Sequence, residues 1–91
     1  MSIVSNVLTD LEMSELIYSN LTGDQSHKNA IMEDWFSAST SFLNDFTSTE
    51  KFLSRINQWM KKNKLFIKVT KFIDIEEEES VDWQVEVQYN N

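Results

Sequence analysis

A chain of 91 residues that is 41% hydrophobic and carries 3 Trp, 2 Tyr and 6 Phe has enough apolar surface to fold as one domain. It is too short to enclose a roomy substrate cavity as well as a core. The absence of cysteine excludes disulfides, thiolate nucleophiles and zinc–thiolate sites. With no basic leader and no apolar run of membrane-spanning length, a cytoplasmic location is expected. A net charge of −7 bears on partner choice rather than on fold.

Ile3, Val4, Val7, Leu8, Leu11, Leu16, Ile17 and Leu21 recur at three- and four-residue steps, which predicts an amphipathic helix over about 3–21. Thr9 with Glu12 also makes a capping box, and that leaves a second option: a helix starting at Asp10, with residues 2–8 as a separate turn or short strand. The long helix is preferred. Gly23, the single glycine, stands where a left-handed helix cap would need it.

Asp24 to Ser26 offers an N-cap for a second helix over about 26–46, with a stripe of Ile31, Trp35, Ala38, Phe42 and Phe46. The small polar tract Ser37 to Ser41 predicts a bend near Thr40. Thr47 and Glu50 form a further capping box. A third helix over about 48–63 follows, with an apolar face of Phe52, Leu53, Ile56, Trp59 and Met60, and with Lys61, Lys62 and Lys64 suited to its negative dipole end.

From Leu65 onward the pattern changes to strict alternation. Leu65, Ile67, Val69, Ile73 and Ile75, then Val81, Trp83, Val85, Val87 and Tyr89, read as two strands, about 65–75 and 81–89, joined at Glu76 to Ser80. Pairing Ile75 with Val81 and Val69 with Val87 puts both apolar sets on one face. Phe66 and Phe72 then fall on the other face as exposed aromatics. The expected architecture is a single α+β domain of three helices followed by a C-terminal antiparallel hairpin, whose odd-numbered face packs on the second and third helices.

Charge is segregated along the chain. Lys51, Arg55, Lys61, Lys62, Lys64, Lys68 and Lys71 meet only Glu50 over residues 49–71, whereas residues 72–91 hold Asp74, Glu76, Glu77, Glu78, Glu79, Asp82 and Glu86 with no base. Seven carboxylates on a ribbon can compete with a phosphate backbone for a lysine- and arginine-lined groove. Interfaces also favour aromatics with a charged rim. The expected partner-binding residues are therefore Asp74, Glu76, Glu77, Glu78, Glu79, Asp82, Glu86, Phe66 and Phe72.

His27, the lone histidine, has no thiol or second imidazole with which to hold a metal. The adjacent carboxylates Glu33 and Asp34 diverge on a helix, so no catalytic, cofactor or metal site is expected. The expected function is non-enzymatic protein binding through an acidic surface that mimics nucleic-acid phosphates and blocks a partner's basic groove. Size, acidity and lack of catalytic chemistry match small phage- or mobile-element-type inhibitors. The expected partner is a protein with a basic surface rather than nucleic acid or membrane, with homodimerisation through the hairpin edge as an option. Two alternatives remain: a winged-helix-like regulator reading nucleic acid with the third helix, since three helices and a hairpin are the winged-helix succession, or a homo-oligomeric structural or adaptor subunit.

Overall fold

The computed structural model describes residues 2–45, 49–75 and 80–89, with side chains described over 3–41, 50–73 and 82–88. The element order is β1 (Ser2–Thr9), α1 (Asp10–Asn20), α2 (Gln25–Asp45), α3 (Thr49–Lys62), β2 (Ile67–Ile75) and β3 (Ser80–Tyr89). The α+β class holds, but strands stand at both ends of the chain. β1 joins the hairpin, giving a three-stranded antiparallel sheet in the order β1-β3-β2. This overturns the expected succession of three helices and a two-stranded hairpin, and it resolves the weakness of an isolated ribbon in water, because the ribbon gains a third strand.

The long first helix fails at its N-terminal half for a local reason. Thr9 is a true N-cap: its Oγ1 accepts the Glu12 amide at 3.2 Å, and its own N–H donates to Glu12 Oε1 at 3.1 Å. That reciprocal pair fixes the helix start and leaves residues 2–9 extended. The Thr9 backbone N–H first, and the Thr9 hydroxyl after it, hold the Glu12 carboxyl below its ordinary range by hydrogen bonding to the carboxylate. Val4, Asn6 and Leu8 alternate toward the helices opposite Val87, Val85 and Trp83, while Ile3, Ser5 and Val7 face outward opposite Gln88, Glu86 and Gln84.

The hairpin register also differs from expectation. Val69 pairs with Val85 and Ile67 with Val87, then the register slips between Val69 and Lys71 so that Phe72 meets Trp83. The slip is a bulge at Thr70, whose hydroxyl donates to the Gln84 carbonyl at 3.2 Å. One extra residue inverts the alternation. Phe72 therefore turns inward, its ring 4.8 Å from that of Phe52 and 5.6 Å from that of Trp83, and Ile73 takes the outward position opposite Asp82. Phe72 is thus not an exposed aromatic.

The core lies between the sheet's inner face and the helices. Trp35, Trp59 and Trp83, widely spaced in sequence, converge there, with ring centroids 5.0 Å apart for Trp35–Trp59 and 5.6 Å for Trp35–Trp83. Two of their indole N–H groups find carboxylates: Trp59 donates to Asp34 at 2.7 Å and Trp83 to Asp10 at 3.0 Å. A buried indole usually needs such a partner. Met13 and Ile17 of α1, and Phe52, Ile56 and Met60 of α3, complete the buried set with Val69, Val85 and Val87 of the sheet.

The helices that lie on the sheet are α1 and α3, not α2 and α3 as expected. The second helix packs on its two neighbours and reaches the sheet through Trp35. It begins at an Asp24 cap, whose Oδ1 accepts the His27 amide at 2.8 Å, and it runs without a break past Thr40. Gly23 does have positive φ, +110°, but it lies two residues beyond the Leu21 cap of α1, in the turn before Asp24. A Cβ there would stand 2.8 Å from the His27 ring. Phe42, Phe46, Thr47 and Glu76 to Glu79 fall outside the residues whose side chains are described. No helix among the described residues is long and apolar enough to cross a membrane.

Candidate functional site

Helices cover one face of the sheet and leave the other open, the usual state of an antiparallel sheet in a small two-layer fold. That open face should carry polar residues, and on β3 it does: Asp82, Gln84, Glu86 and Gln88 alternate with buried Trp83, Val85 and Val87. At the edges it does not. Ile3 is 64% exposed, Val7 58%, and Phe66, which immediately precedes β2, 63%.

An open groove of about 730 Å³ crosses this face at the end where β2 begins. Ile3 of β1, Glu86 and Gln88 of β3, and Phe66 and Lys68 line it, and it reaches the C-terminal part of α3 at Asn57 and Lys61, with Lys64 beside them. The Gln88 amide donates to the Phe66 carbonyl at 2.9 Å, which fixes the backbone under the groove.

The lysine side of the groove is built by the way α3 ends. Leu65 N–H bonds back to the Met60 carbonyl at 2.9 Å and Lys64 N–H to that of Lys61 at 3.1 Å, the paired bonds of a Schellman stop. The residue at the left-handed position of such a stop is usually glycine. Here it is Lys64, with φ of +58°, a conformation that costs a side-chain-bearing residue roughly 1–2 kcal/mol. Leu65 and Met60 are both buried, so the turn is anchored while Lys64 stays exposed beside Lys61 and Lys68.

Of the nine residues expected to bind a partner, Phe66, Asp82 and Glu86 share the outer face, and Phe66 and Glu86 both line the groove. Phe72 leaves the set for the core. Asp74 takes a β2 register position opposite Val81, its side chain lying outside those described, as do Glu76, Glu77, Glu78 and Glu79 entirely. The sequence reading missed Ile3, Lys61 and Lys64 as groove residues. Ile3 was assigned to a helix, and only the Thr9–Glu12 capping box, read as decisive, would have moved it to a strand edge.

Several acids outside the expected set have structural work to do: Asp10 and Asp34 receive indoles, and Glu12 and Asp24 cap helices. No group of His, Asp and Glu among the described residues is arranged to hold a metal ion. Comparison with known protein families, curated proteins and solved structures returns no match to this chain.

Proposed function

We propose that the protein is a non-enzymatic protein-binding module whose working surface is the open face of the sheet. The observation that supports this best is the groove: two large apolar side chains, Ile3 and Phe66, stand exposed at a concave site rimmed by Lys61, Lys64, Lys68 and Glu86. An aromatic anchor inside a charged rim is the composition of a protein interface. Its lining offers ammonium groups, amides and one carboxylate rather than a nucleophile with a base in reach.

The finer reading is an inhibitor of a nucleic-acid-handling protein, of phage or mobile-element type, whose acidic surface stands in for phosphates. The surplus of acids over bases, 15 against 8, supports it, as do Asp82 and Glu86 on the same face as Phe66. The test is affinity capture from the native host with the intact protein, the Phe66→Glu variant and the Asp82→Lys/Glu86→Lys double variant. A partner retained by the intact protein and lost with Phe66→Glu supports the module; a partner indifferent to Phe66 sinks it. Phosphate mimicry requires in addition that the double variant lose the partner and that duplex DNA compete with the intact protein for it.

A further inference from the structure

The two outer edges of the sheet are treated differently. Along β2, α3 lies close, and Asn57 takes both main-chain groups of Val69: the Val69 N–H donates to Asn57 Oδ1 at 2.8 Å, and Asn57 Nδ2 donates to the Val69 carbonyl at 2.9 Å. Along β1, the only elements in contact among the described residues are β3, on its paired side, and α1.

Antiparallel alternation identifies which β1 groups point into the open. Because Val69 directs its groups away from β3, its partner Val85 directs its own toward β1, where Asn6 stands opposite. Asn6, Val4 and Leu8 therefore bond to β3, and Ile3, Ser5 and Val7 turn their N–H and C=O groups outward. Thr9 confirms the phase, since its N–H goes to Glu12 rather than to β3. Three consecutive outward residues thus offer six main-chain groups in a row. Natural edges are usually protected by lysine, proline, a bulge or an inward charge. Ser2 to Thr9 has no charged residue and no proline, in a chain of net charge −7, and its register with β3 shows no irregularity.

We propose that β1 pairs with β1 of a second copy of this chain, antiparallel about a two-fold axis at Ser5, to form one continuous six-stranded sheet. Two-fold pairing centred there sets Ser5 opposite the partner's Ser5 and Ile3 opposite the partner's Val7. This is the register in which every outward residue meets another outward residue. Each such pair exchanges two bonds, so all six open groups are satisfied. On the outer face, the exposed Ile3 and Val7 side chains become a β-branched cross-strand pair, a favourable combination. On the inner face, Val4, 41% exposed, comes opposite the partner's Asn6. The interface is self-complementary, as two-fold contacts must be. Charge also selects it: two molecules of like net charge repel, and the uncharged strand is where they can meet at main-chain distance with least opposition.

Sedimentation over a concentration series, with hydrogen exchange at both ends of the series, tests the pairing. The intact chain should sediment as a dimer of the 10.7 kDa protomer, with the amides of Ser5 and Val7 protected in the dimer and exchanging freely on dilution. Ser5→Pro removes a central donor at an edge position that tolerates proline, and Val7→Lys sets a cation on the edge from an outward position. Both should be monomers with an unchanged far-UV spectrum. Phe66→Glu, away from the edge, should remain dimeric. The proposal is overturned by a monomer at all concentrations, by an open-ended polymer, by dimers that survive both edge variants, or by dimers in which Ser5 and Val7 amides stay unprotected.

Discussion

Asn57 completes the hydrogen bonding of Val69 as a neighbouring strand would, receiving its N–H and donating to its carbonyl, while the same amide nitrogen also donates to Leu53 at 2.9 Å. One side chain thereby ties the middle of α3 to the edge of β2. Asn57→Ala leaves two partly buried main-chain groups unpaired and should lower stability by about 1–3 kcal/mol. The urea midpoint should fall with the slope unchanged. A midpoint equal to that of the parent would mean water replaces the amide without loss.

Lys64 gives a prediction of the opposite sign. Glycine adopts φ near +58° without the Cβ penalty, so Lys64→Gly should raise stability by up to about 1 kcal/mol. The same change removes a cation from the groove rim. If the groove is the working surface, the variant should be more stable and should bind its captured partner less well. A strained residue kept at the cost of stability is the pattern of a functional position.

The Thr9–Glu12 box makes a pH prediction. In the folded chain the Glu12 carboxyl is held below its ordinary value by hydrogen bonds from Thr9. The unfolded chain therefore binds the proton more readily, and stability rises with pH across this titration. The contribution is present in full above the unfolded value and is lost as pH falls through the lower, folded one. Glu12→Gln should flatten that part of the acid stability profile and leave the neutral-to-alkaline part parallel to the parent's. An acid limb of unchanged steepness would contradict the coupling.

Phe66 and Phe72 provide a contrast within six residues. Phe72→Ala removes a ring packed on Phe52 and Trp83 and should cost about 2–4 kcal/mol, somewhat under the loss for a fully buried phenylalanine. Phe66→Ala should move thermal unfolding little, within about 0.5 kcal/mol, as a surface change does. Equal losses at the two positions would argue against the bulge.

The parts legible in sequence are those where periodicity and capping agree. α3 combines a strong apolar face with terminal lysines, and β3 alternates without interruption from Trp83 to Val87, so both lie close to where they were expected. β1 was legible only as the second option, a short strand over residues 2–8 before a helix capped at Thr9, because Ile3, Val4, Val7 and Leu8 also satisfy helical spacing and a polar Asn6 on the inner side hides the alternation. Its place in the sheet depends on pairing with residues some eighty positions away, which no local pattern reports. The Phe72 error has another origin: a bulge leaves no mark of its own at Thr70, and alternation counted across it comes out inverted. Of the groove, Phe66 and Glu86 were foreseeable as outward residues, but the Lys61–Lys64 rim comes from a helix stop made by a lysine in a glycine's conformation.

The residue looped out at Thr70, and not the alternation of residue types alone, decides which side of β2 each later side chain takes. Removing it would leave Val69 opposite Val85, Lys71 opposite Gln84 and Phe72 opposite Trp83, so β2 would alternate simply with every later side chain on the side it now occupies. Keeping Thr70 but drawing it into regular alternation would instead drive Lys71 toward Phe52 and Trp83 and release Phe72 to water. Loss of a single residue between Val69 and Phe72 would thus demand no new side chains along the remainder of the strand, and descendants of this chain should vary in spacing there more readily than in the polar and apolar character of Lys71 and Phe72.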